Sequence, residues 1–294
     1  MKVLNNTPQI IFAGEEHGGI AAFKSLQATF DSIEVLSEDD NILRMMRKDD
    51  IRVNSFLECQ SSVGVCAAYR PLIGKDVLSK KTIINTHPSL LPKYRGVHAL
   101  AWAMLNLEEE LGFSIHLMNE YIDDGDILEQ FKVKYDNQTA REMLDLFNDY
   151  VVDNLGRVVH EYMNGKITPV KQNREQATWV AKRNLNDCVI DFNQSNRQIE
   201  VAFKVLSSPY PCPMLKLKDG LFEVLDHRLL ERDYDTHIGR VVNIEDDDVY
   251  IKTKDGLLII NTLRDYGSKQ IILARKKLKR GQRLFQTCAR RFCD

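Results

Sequence analysis

The chain has 294 residues, of which 44% are hydrophobic and 28% are charged, and this length is sufficient for two domains. Such a composition excludes a chain that is disordered throughout. The formal net charge of −2 gives no reason to expect a general nucleic-acid or acidic-membrane binder, so any site for a polyanion has to be local.

The sequence contains no apolar run of the roughly eighteen residues that a membrane-spanning helix needs, and its N-terminus lacks the apolar core of a signal peptide. The six cysteines are scattered, without a Cys-x-x-Cys pair or a zinc-like Cys/His spacing. These features predict a cytoplasmic chain with free thiols, no metal site and no membrane partner.

The first part of the chain alternates apolar runs with helical periods. Strands are predicted over 10–14, 33–36, 62–68 and 82–85, and a helix begins near Gly18. The glycines after the first strand miss the G-x-G-x-x-G spacing, so a dinucleotide site is poorly supported and a tight strand-to-helix turn is the better interpretation. The pattern predicts an open α/β sheet.

Two further strands, over 112–118 and 127–133, flank a turn at Asp124-Gly125, and a long helix follows over 139–163. The polar segment 166–186 then separates two regions of different character. We place the domains at 1–178 and 179–294. In the second, a helix over 195–207 precedes short strands over 221–225, 239–244, 249–253 and 257–261, which predict a small β-barrel.

The segment from Asn85 to Gly96 is rich in polar residues with possible catalytic roles, and it begins where a predicted strand ends. Open α/β sheets hold their ligands at the carboxyl ends of strands. Pro88 biases His87 toward an extended conformation, so Asn85 and His87, two residues apart, are expected to point to the same face. Pro88 and Pro92 stiffen the loop between them.

A second candidate segment is the acidic turn 119–126. It does not fit a calcium loop, because with Gly125 at the sixth loop position the third falls on Ile122, where an oxygen ligand is required. Taken alone, the run is equally well interpreted as a solvated turn.

Taken together, the segments Asn-x-His-x-Ser-Leu-Leu-Pro at 85–92 and Asp-x-Gly-Asp at 123–126 resemble the folate-dependent formyltransferase family. The resemblance implies a Rossmann-like catalytic domain, a smaller OB-like C-terminal domain and 10-formyltetrahydrofolate as co-substrate. It also implies a catalytic trio of Asn85, His87 and Asp123. Asn85 and a protonated His87 would stabilise the developing oxyanion, and Asp123 would keep His87 charged and help with the amine proton. We interpret His116 as structural or supporting.

The resemblance implies ligand contacts as well. Folate contacts are expected from the segment after the third strand and from the acidic turn, namely Tyr69, Arg70, Pro71, Leu72, Ile73, Ile122 and Asp124. The segment 69–73 can equally be a plain strand-to-turn transition. Acceptor contacts are expected just after the catalytic strand, from Tyr94, Arg95, Gly96, His98 and Trp102, with a core position for Trp102 left open.

Three acceptors are known for such a family: glycinamide ribonucleotide, methionyl-tRNA and nucleotide-linked amino sugars. Glu15 and Glu16 stand where the first acceptor needs a phosphate loop, which argues against it. The stretch 34–50 is short and acidic, which argues against RNA. The basic tail keeps methionyl-tRNA as an alternative; it comprises Lys269, Arg275, Lys276, Lys277, Lys279, Arg280, Arg283, Arg290 and Arg291.

The leading prediction is therefore formyl transfer to a nucleotide-linked amino sugar, such as a dTDP-4-amino-4,6-dideoxyhexose of O-antigen and lipopolysaccharide synthesis. Two motifs, Gly-x-Ser-x-His at 112–116 and Leu-Leu-Pro-Lys-Tyr-Arg-Gly at 90–96, are similar to motifs of sugar N-formyltransferases. A second alternative is a folate-binding scaffold without turnover. A homodimer is expected, and tRNA is not expected as a partner.

Overall fold

The computed structural model describes residues 9–207, 211–232 and 234–284. The N-terminal residues used to predict the compartment, and Arg290 and Arg291 of the basic tail, lie outside these ranges. The chain forms two compact units, and it passes from the first to the second between Lys182 and Arg183. This point lies in the polar segment in which we predict the domain boundary. The segments 104–107 and 136–141 belong to the second unit.

The first part of the chain contains nine strands and five α-helices among its described residues. The strands are β1 Ile10–Gly14, β2 Ile33–Leu36, β3 Ile51–Arg52, β4 Val63–Ala67, β5 Thr82–His87, β6 Arg95–Gly96, β7 Glu110–Leu117, β8 Ile127–Lys134 and β9 Trp179–Val180. The helices are α1 Glu16–Thr29, α2 Asp40–Met45, α3 Lys75–Leu78, α4 Ala99–Leu105 and α5 Ala140–Met163.

Seven of these strands form one sheet in the order β3-β2-β1-β4-β5-β7-β8. The first five are parallel, and β7 and β8 run antiparallel to their neighbours. Every residue of β1 is buried, as expected for a parallel strand that is covered on both faces. The predicted Rossmann-like α/β fold is confirmed. The short strands β6 and β9 pair with each other outside this sheet.

The described residues of the second unit contain one further α-helix, α6 Asn196–Val205. Ser195 and Gln198 form a reciprocal cap at its N-terminus. Its strands are β10 Met214–Leu217, β11 Gly220–Val224, β12 Arg228–Glu231, β13 Val241–Glu245, β14 Asp248–Lys252, β15 Gly256–Ile260, β16 Thr262–Asp265 and β17 Ile271–Leu273. They form two antiparallel sheets, β10-β11-β16-β17 and β12-β15-β14-β13. The smaller β domain is thus confirmed. The sequence pattern did not predict four strands that are only three or four residues long, β10, β12, β16 and β17.

No helix in the described ranges is both long and apolar enough to cross a membrane. The four cysteines that these ranges contain are free thiols, Cys59, Cys66, Cys188 and Cys212.

Candidate active site

The two central strands of the large sheet bring three polar side chains together. β5 and β7 pair in a register that sets Asn85 opposite His116 and His87 opposite Ser114. The Asn85 amide nitrogen lies 3.3 Å from Nε2 of His116. The Nδ1 of His116 lies 2.7 Å from the carbonyl of Leu117. A carbonyl only accepts, so Nδ1 carries the hydrogen and Nε2 faces the Asn85 amide. His116 therefore orients the carboxamide of Asn85.

Asp123 reaches the same place from the turn between β7 and β8. Its Oδ1 accepts from the Asn85 amide at 3.4 Å and lies 3.5 Å from Nε2 of His116. Its Oδ2 lies 3.6 Å from Nδ1 of His87 and accepts from the backbone N–H of Gly96 at 2.8 Å. One carboxylate thus touches both imidazoles and the carboxamide. The structure brings the three predicted catalytic residues into contact, and we define Asn85, His87, His116 and Asp123 as the catalytic cluster.

The backbone on either side of the Asp123 carboxylate leaves no room for a Cβ at two glycines. Asp123 has a φ of 50°, in the left-handed region. Gly96, which donates to it, has a φ of 106°, and a Cβ there would lie 2.2 Å from the carbonyl oxygen of Val180. A Cβ on Gly125 would lie 1.9 Å from the carbonyl oxygen of Leu117. Both glycines are therefore needed to hold the carboxylate where it is.

A network of charged and polar side chains holds the turn that carries Asp123. Asp124 accepts from Arg95 at 2.6 Å, and the side chains of both are 4% exposed. It also accepts from Arg174 at 2.6 Å. Gln172 donates to the carbonyls of Asp123 and Gly125 at 2.8 and 2.7 Å, and its oxygen accepts from Arg95 at 3.2 and 2.6 Å. All four hydrogen-bonding positions of the Gln172 amide are used, so this side chain clamps the Asp123 turn.

The electrostatics of the cluster favour an ionised Asp123. Burial disfavours its charge. The neighbouring imidazoles of His116 and His87 and the Gly96 N–H outweigh this cost and lower the pKa of Asp123 to about 2. Asp123 is therefore a fixed negative charge at neutral pH.

His87 has a lowered pKa, because its burial outweighs the attraction of Asp123 and the bond to the Tyr94 carbonyl. Its Nε2 lies 2.8 Å from that carbonyl oxygen and carries the hydrogen. Nδ1, which faces Asp123, therefore bears the lone pair of the neutral ring. The lowered pKa disfavours the protonated His87 that the resemblance implies, because burial disfavours the charge and the sequence pattern does not show burial.

The segment assigned to folate follows β4, at the same edge of the sheet as the cluster. Tyr69 packs edge-on against Phe56, while Leu72 is 90% exposed. Arg70 forms exposed ion pairs with Glu15 and Glu16. Pro71 is exposed and Ile73 is partly buried. On the acidic turn, Ile122 is 64% exposed and Asp124 is buried in its network. Folate contacts of these seven residues stay a prediction.

The residues assigned to the acceptor have several different partners. The Tyr94 hydroxyl donates to Glu108 at 2.8 Å, Arg95 is committed to Asp124, and Gly96 donates to Asp123. Trp102 donates through its indole N–H to the carbonyl of Ala181 at 2.9 Å. His98 precedes α4 with a φ of 65°. The structure gives Arg95 and Gly96 supporting roles in the cluster, and acceptor contacts in this set stay a prediction.

Sequence reasoning left His116 as structural or supporting, and the structure gives it the supporting role, beside Asn85 and Asp123. It missed two side chains outside the motifs that hold the Asp123 turn, Gln172 and Arg174. Gln172 and Arg174 lie in a polar segment with no regular pattern. Nothing local marks them, because their partners are about fifty residues away in the chain.

Comparison with known proteins identifies the two parts of the chain independently. Residues 18–150 match the family model described as formyl transferase. Residues 183–276 match the model described as formyl transferase, C-terminal domain.

Sequence relatives are consistent with these matches. A methionyl-tRNA formyltransferase from Finegoldia magna is 32% identical over 203 residues, which cover 68% of this chain and 65% of that relative. Relatives with the same name from Clostridium and Fusobacterium species share 26 to 29% identity. The chain thus spans just under two thirds of the Finegoldia protein.

Solved structures agree on the fold. HypX from Aquifex aeolicus in complex with tetrahydrofolic acid has a TM-score of 0.61 at 17% identity, covering 92% of this chain and 47% of HypX. An N-formyltransferase from Helicobacter canadensis, solved with folinic acid and dTDP-3-aminofucose, has a TM-score of 0.66 at 17% identity, covering 86% of this chain and 98% of that one. At this identity the matches show the fold alone.

Proposed function

The chain belongs to the formyl transferase family, and we propose that it transfers a formyl group from 10-formyltetrahydrofolate to the α-amino group of methionyl-tRNA. The family match confirms the predicted class of enzyme, an N-formyltransferase. Solved neighbours that hold tetrahydrofolic acid or a formyl-tetrahydrofolate support the reduced folate as donor. The convergence of Asn85, His87 and Asp123 carries the proposal of acyl-transfer chemistry.

The predicted amino-sugar acceptor is wrong. The relatives at 26 to 32% identity are named methionyl-tRNA formyltransferases. The sugar N-formyltransferase from Helicobacter canadensis shares the fold at only 17% identity. The assignments to O-antigen and lipopolysaccharide synthesis depended on that acceptor and are not supported either. A homodimer stays a prediction.

The error came from the acidic stretch 34–50, which we interpreted as repelling RNA. Part of its negative charge is buried or compensated by neighbouring groups. Glu34 is buried and accepts from two backbone N–H groups, and Glu38 pairs with Arg52. Asp39 caps α2, and Asp50 pairs with Arg47. A count of formal charges in the sequence therefore overstates the field that this stretch presents to a polyanion.

The cluster's own residues account for the proton movements of such a transfer. Neutral His87 accepts the proton that the attacking amine loses, at Nδ1, and can return it to the leaving nitrogen. Asp123, already ionised and 3.6 Å away, stabilises the imidazolium that forms. Asn85 stays oriented by His116 and turns the hydrogen of its 3.4 Å bond to Asp123 towards the formyl oxygen as negative charge develops there.

The site also suits a reduced folate. Leu72 and Ile122 present exposed apolar surface on two segments beside the cluster, which fits the flat ring system of that co-substrate. When bound, the folate supplies the formyl group. The chain's residues hold it beside the acceptor and carry the protons.

The second unit offers cations for phosphates. Arg275 and Lys277 are paired with Asp247 and Asp219, whereas Lys276, Lys279 and Arg280 are exposed. An exposed basic surface is what a tRNA backbone requires. These side chains support a polyanionic acceptor.

The test is a formyl-transfer assay with 10-formyltetrahydrofolate and either methionyl-tRNA or a panel of dTDP-linked amino sugars. We expect N-formylmethionyl-tRNA and no formylated sugar. Asn85→Ala is expected to lower the rate about 10²- to 10³-fold, while Asn54→Ala, at an exposed asparagine before β4, leaves it unchanged. Turnover of a sugar without turnover of methionyl-tRNA would overturn the proposal, and folate binding without any turnover would indicate a scaffold.

A further inference from the structure

Two large aromatic side chains are exposed beside the catalytic cluster. Trp179 is 66% exposed and Tyr121 is 60% exposed, whereas tryptophan in particular is usually well buried. Exposed aromatic residues are enriched where proteins bind partners. We call Trp179 and Tyr121 the aromatic pair.

The backbone places both rings close to Asp123. Trp179 lies on β9, directly opposite Arg95 in the register with β6, and the next residue of β6 is Gly96, which donates to Asp123. Tyr121 lies two residues before Asp123 on the acidic turn. Both rings therefore lie on backbone segments that are directly connected to Asp123.

Each ring is backed by an arginine that is bound to the same carboxylate. The guanidinium carbon of Arg95 lies 5.8 Å from the centroid of Trp179, and that of Arg174 lies 5.7 Å from the centroid of Tyr121. Both arginines reach Asp124 at 2.6 Å. The rings are thus held in place while much of their surface faces solvent. The side chain of Arg174 is itself 71% exposed, so its positive charge is accessible to a phosphate group beside Tyr121.

We propose that the aromatic pair stacks on the unpaired nucleobases at the 3′ end of the aminoacyl-tRNA. The inference rests on the proposed function. An amino acid carried by a tRNA is esterified to the terminal ribose, so the terminal base is attached to the same sugar as the amino acid and the other unpaired bases follow directly. Single-stranded RNA is recognised by stacking on aromatic rings and arginine planes. Exposed rings with arginines beside the cluster supply both.

The first test compares the aromatic and non-aromatic variants of each ring in formyl transfer to methionyl-tRNA. Trp179→Leu and Tyr121→Leu are expected to lower kcat/KM for methionyl-tRNA about tenfold or more, with the KM for 10-formyltetrahydrofolate unchanged. Trp179→Phe and Tyr121→Phe retain a ring and are expected to stay within about threefold of the wild type. Leu57→Ala, at an exposed apolar residue on the turn that precedes β4, is the matched control.

The second test measures binding of uncharged tRNA, either intact or trimmed of its three 3′-terminal nucleotides. Trimming is expected to weaken binding to the wild type about tenfold and to change binding to the Trp179→Leu, Tyr121→Leu double variant little. Equal losses for both proteins would overturn the inference. So would a raised KM for 10-formyltetrahydrofolate in the leucine variants, which would assign the rings to the folate.

Turnover by the wild type shows whether the proposed function fails or only the inference about the aromatic pair. If the wild type does not formylate methionyl-tRNA, the proposed function fails and the inference fails with it. If the wild type does so and the leucine variants equal it in kcat/KM, only the inference fails. The phenylalanine variants distinguish loss of stacking from loss of fold, since they preserve the ring.

Discussion

Two pairs of adjacent carboxylates follow strands of the large sheet and behave in opposite ways. Glu15 and Glu16 follow β1, and Asp123 and Asp124 follow β7. Each pair contains a residue with left-handed backbone, Glu16 at a φ of 58° and Asp123 at 50°. In the sequence, both pairs are simply acidic turns.

Their partners differ. Glu15 and Glu16 pair with Arg70, whose side chain is 73% exposed. Asp123 and Asp124 are held by buried groups that come from distant parts of the chain, including Arg95, and neither side chain is more than 11% exposed. The partners of a carboxylate, and not its adjacency to a second charge, therefore decide whether it serves catalysis, stability or neither.

The largest effect is expected at Asp123. Asp123→Asn keeps the shape of the side chain but removes the charge that stabilises the His87 imidazolium. We expect kcat for formyl transfer to fall about 10²- to 10⁴-fold. Steady-state kinetics with methionyl-tRNA measure this, and a variant within threefold of the wild type would refute the role of the carboxylate.

Asp124 is expected to show its effect in stability. Asp124→Asn leaves the buried Arg95 guanidinium without a compensating charge, which costs about 3 kcal/mol in the free energy of unfolding. Urea denaturation followed by circular dichroism measures the loss. A change below about 1 kcal/mol would mean that Gln172 alone satisfies Arg95.

The clamp on the Asp123 turn is expected to matter for rate more than for binding. Gln172→Leu removes both hydrogen bonds to the carbonyls of Asp123 and Gly125, so kcat should fall about 10- to 100-fold with KM for both substrates little changed. Gln176→Leu, at an exposed glutamine of the same segment, is the matched control. Equal kinetics for the two variants would contradict the clamp.

The protonation state of His87 provides a smaller and more specific signal. Burial lowers the pKa of His87 below its ordinary value, and Asp123 opposes that shift, so Asp123→Asn should lower the pKa of His87 further. An NMR titration, with the His87 signal assigned by its loss in His87→Gln, measures both values. The acid limb of kcat should move to lower pH in parallel in the residual activity. A His87 pKa that rises in Asp123→Asn would reverse the electrostatic argument.

The smallest effect is expected at the exposed pair. Glu16→Gln removes the ion pair with Arg70, but an exposed pair in high dielectric contributes less than about 1 kcal/mol. Urea denaturation of this variant beside Asp124→Asn compares the two acidic turns directly. A Glu16→Gln loss as large as that of Asp124→Asn would erase the distinction between them.

The elements with strong periodicity could be predicted from the sequence. The buried strands β1 and β2 begin and end as predicted, and α5 differs from its prediction by one residue. The helix α2 was not predicted, because it is a six-residue segment in a charged stretch whose start depends on the Asp39 cap.

The candidate site divides in the same way. Asn85 and His87 could be placed on one face because they lie two apart on a strand, which is a local property. Gln172 and Arg174 could not be assigned their roles, since their partners on the acidic turn lie about fifty residues earlier in the chain, on the other side of α5 in sequence. The charge state of His87 depends on burial, and the sequence pattern does not contain it.

The most direct test of the central claim is mass spectrometry of methionine released from methionyl-tRNA after incubation with 10-formyltetrahydrofolate and the wild type, Asn85→Ala or Asp123→Asn. The account predicts N-formylmethionine from the wild type, with yields at fixed early times reduced about a hundredfold or more in both variants. Unmodified methionine from the wild type, or equal yields from all three proteins, would contradict it.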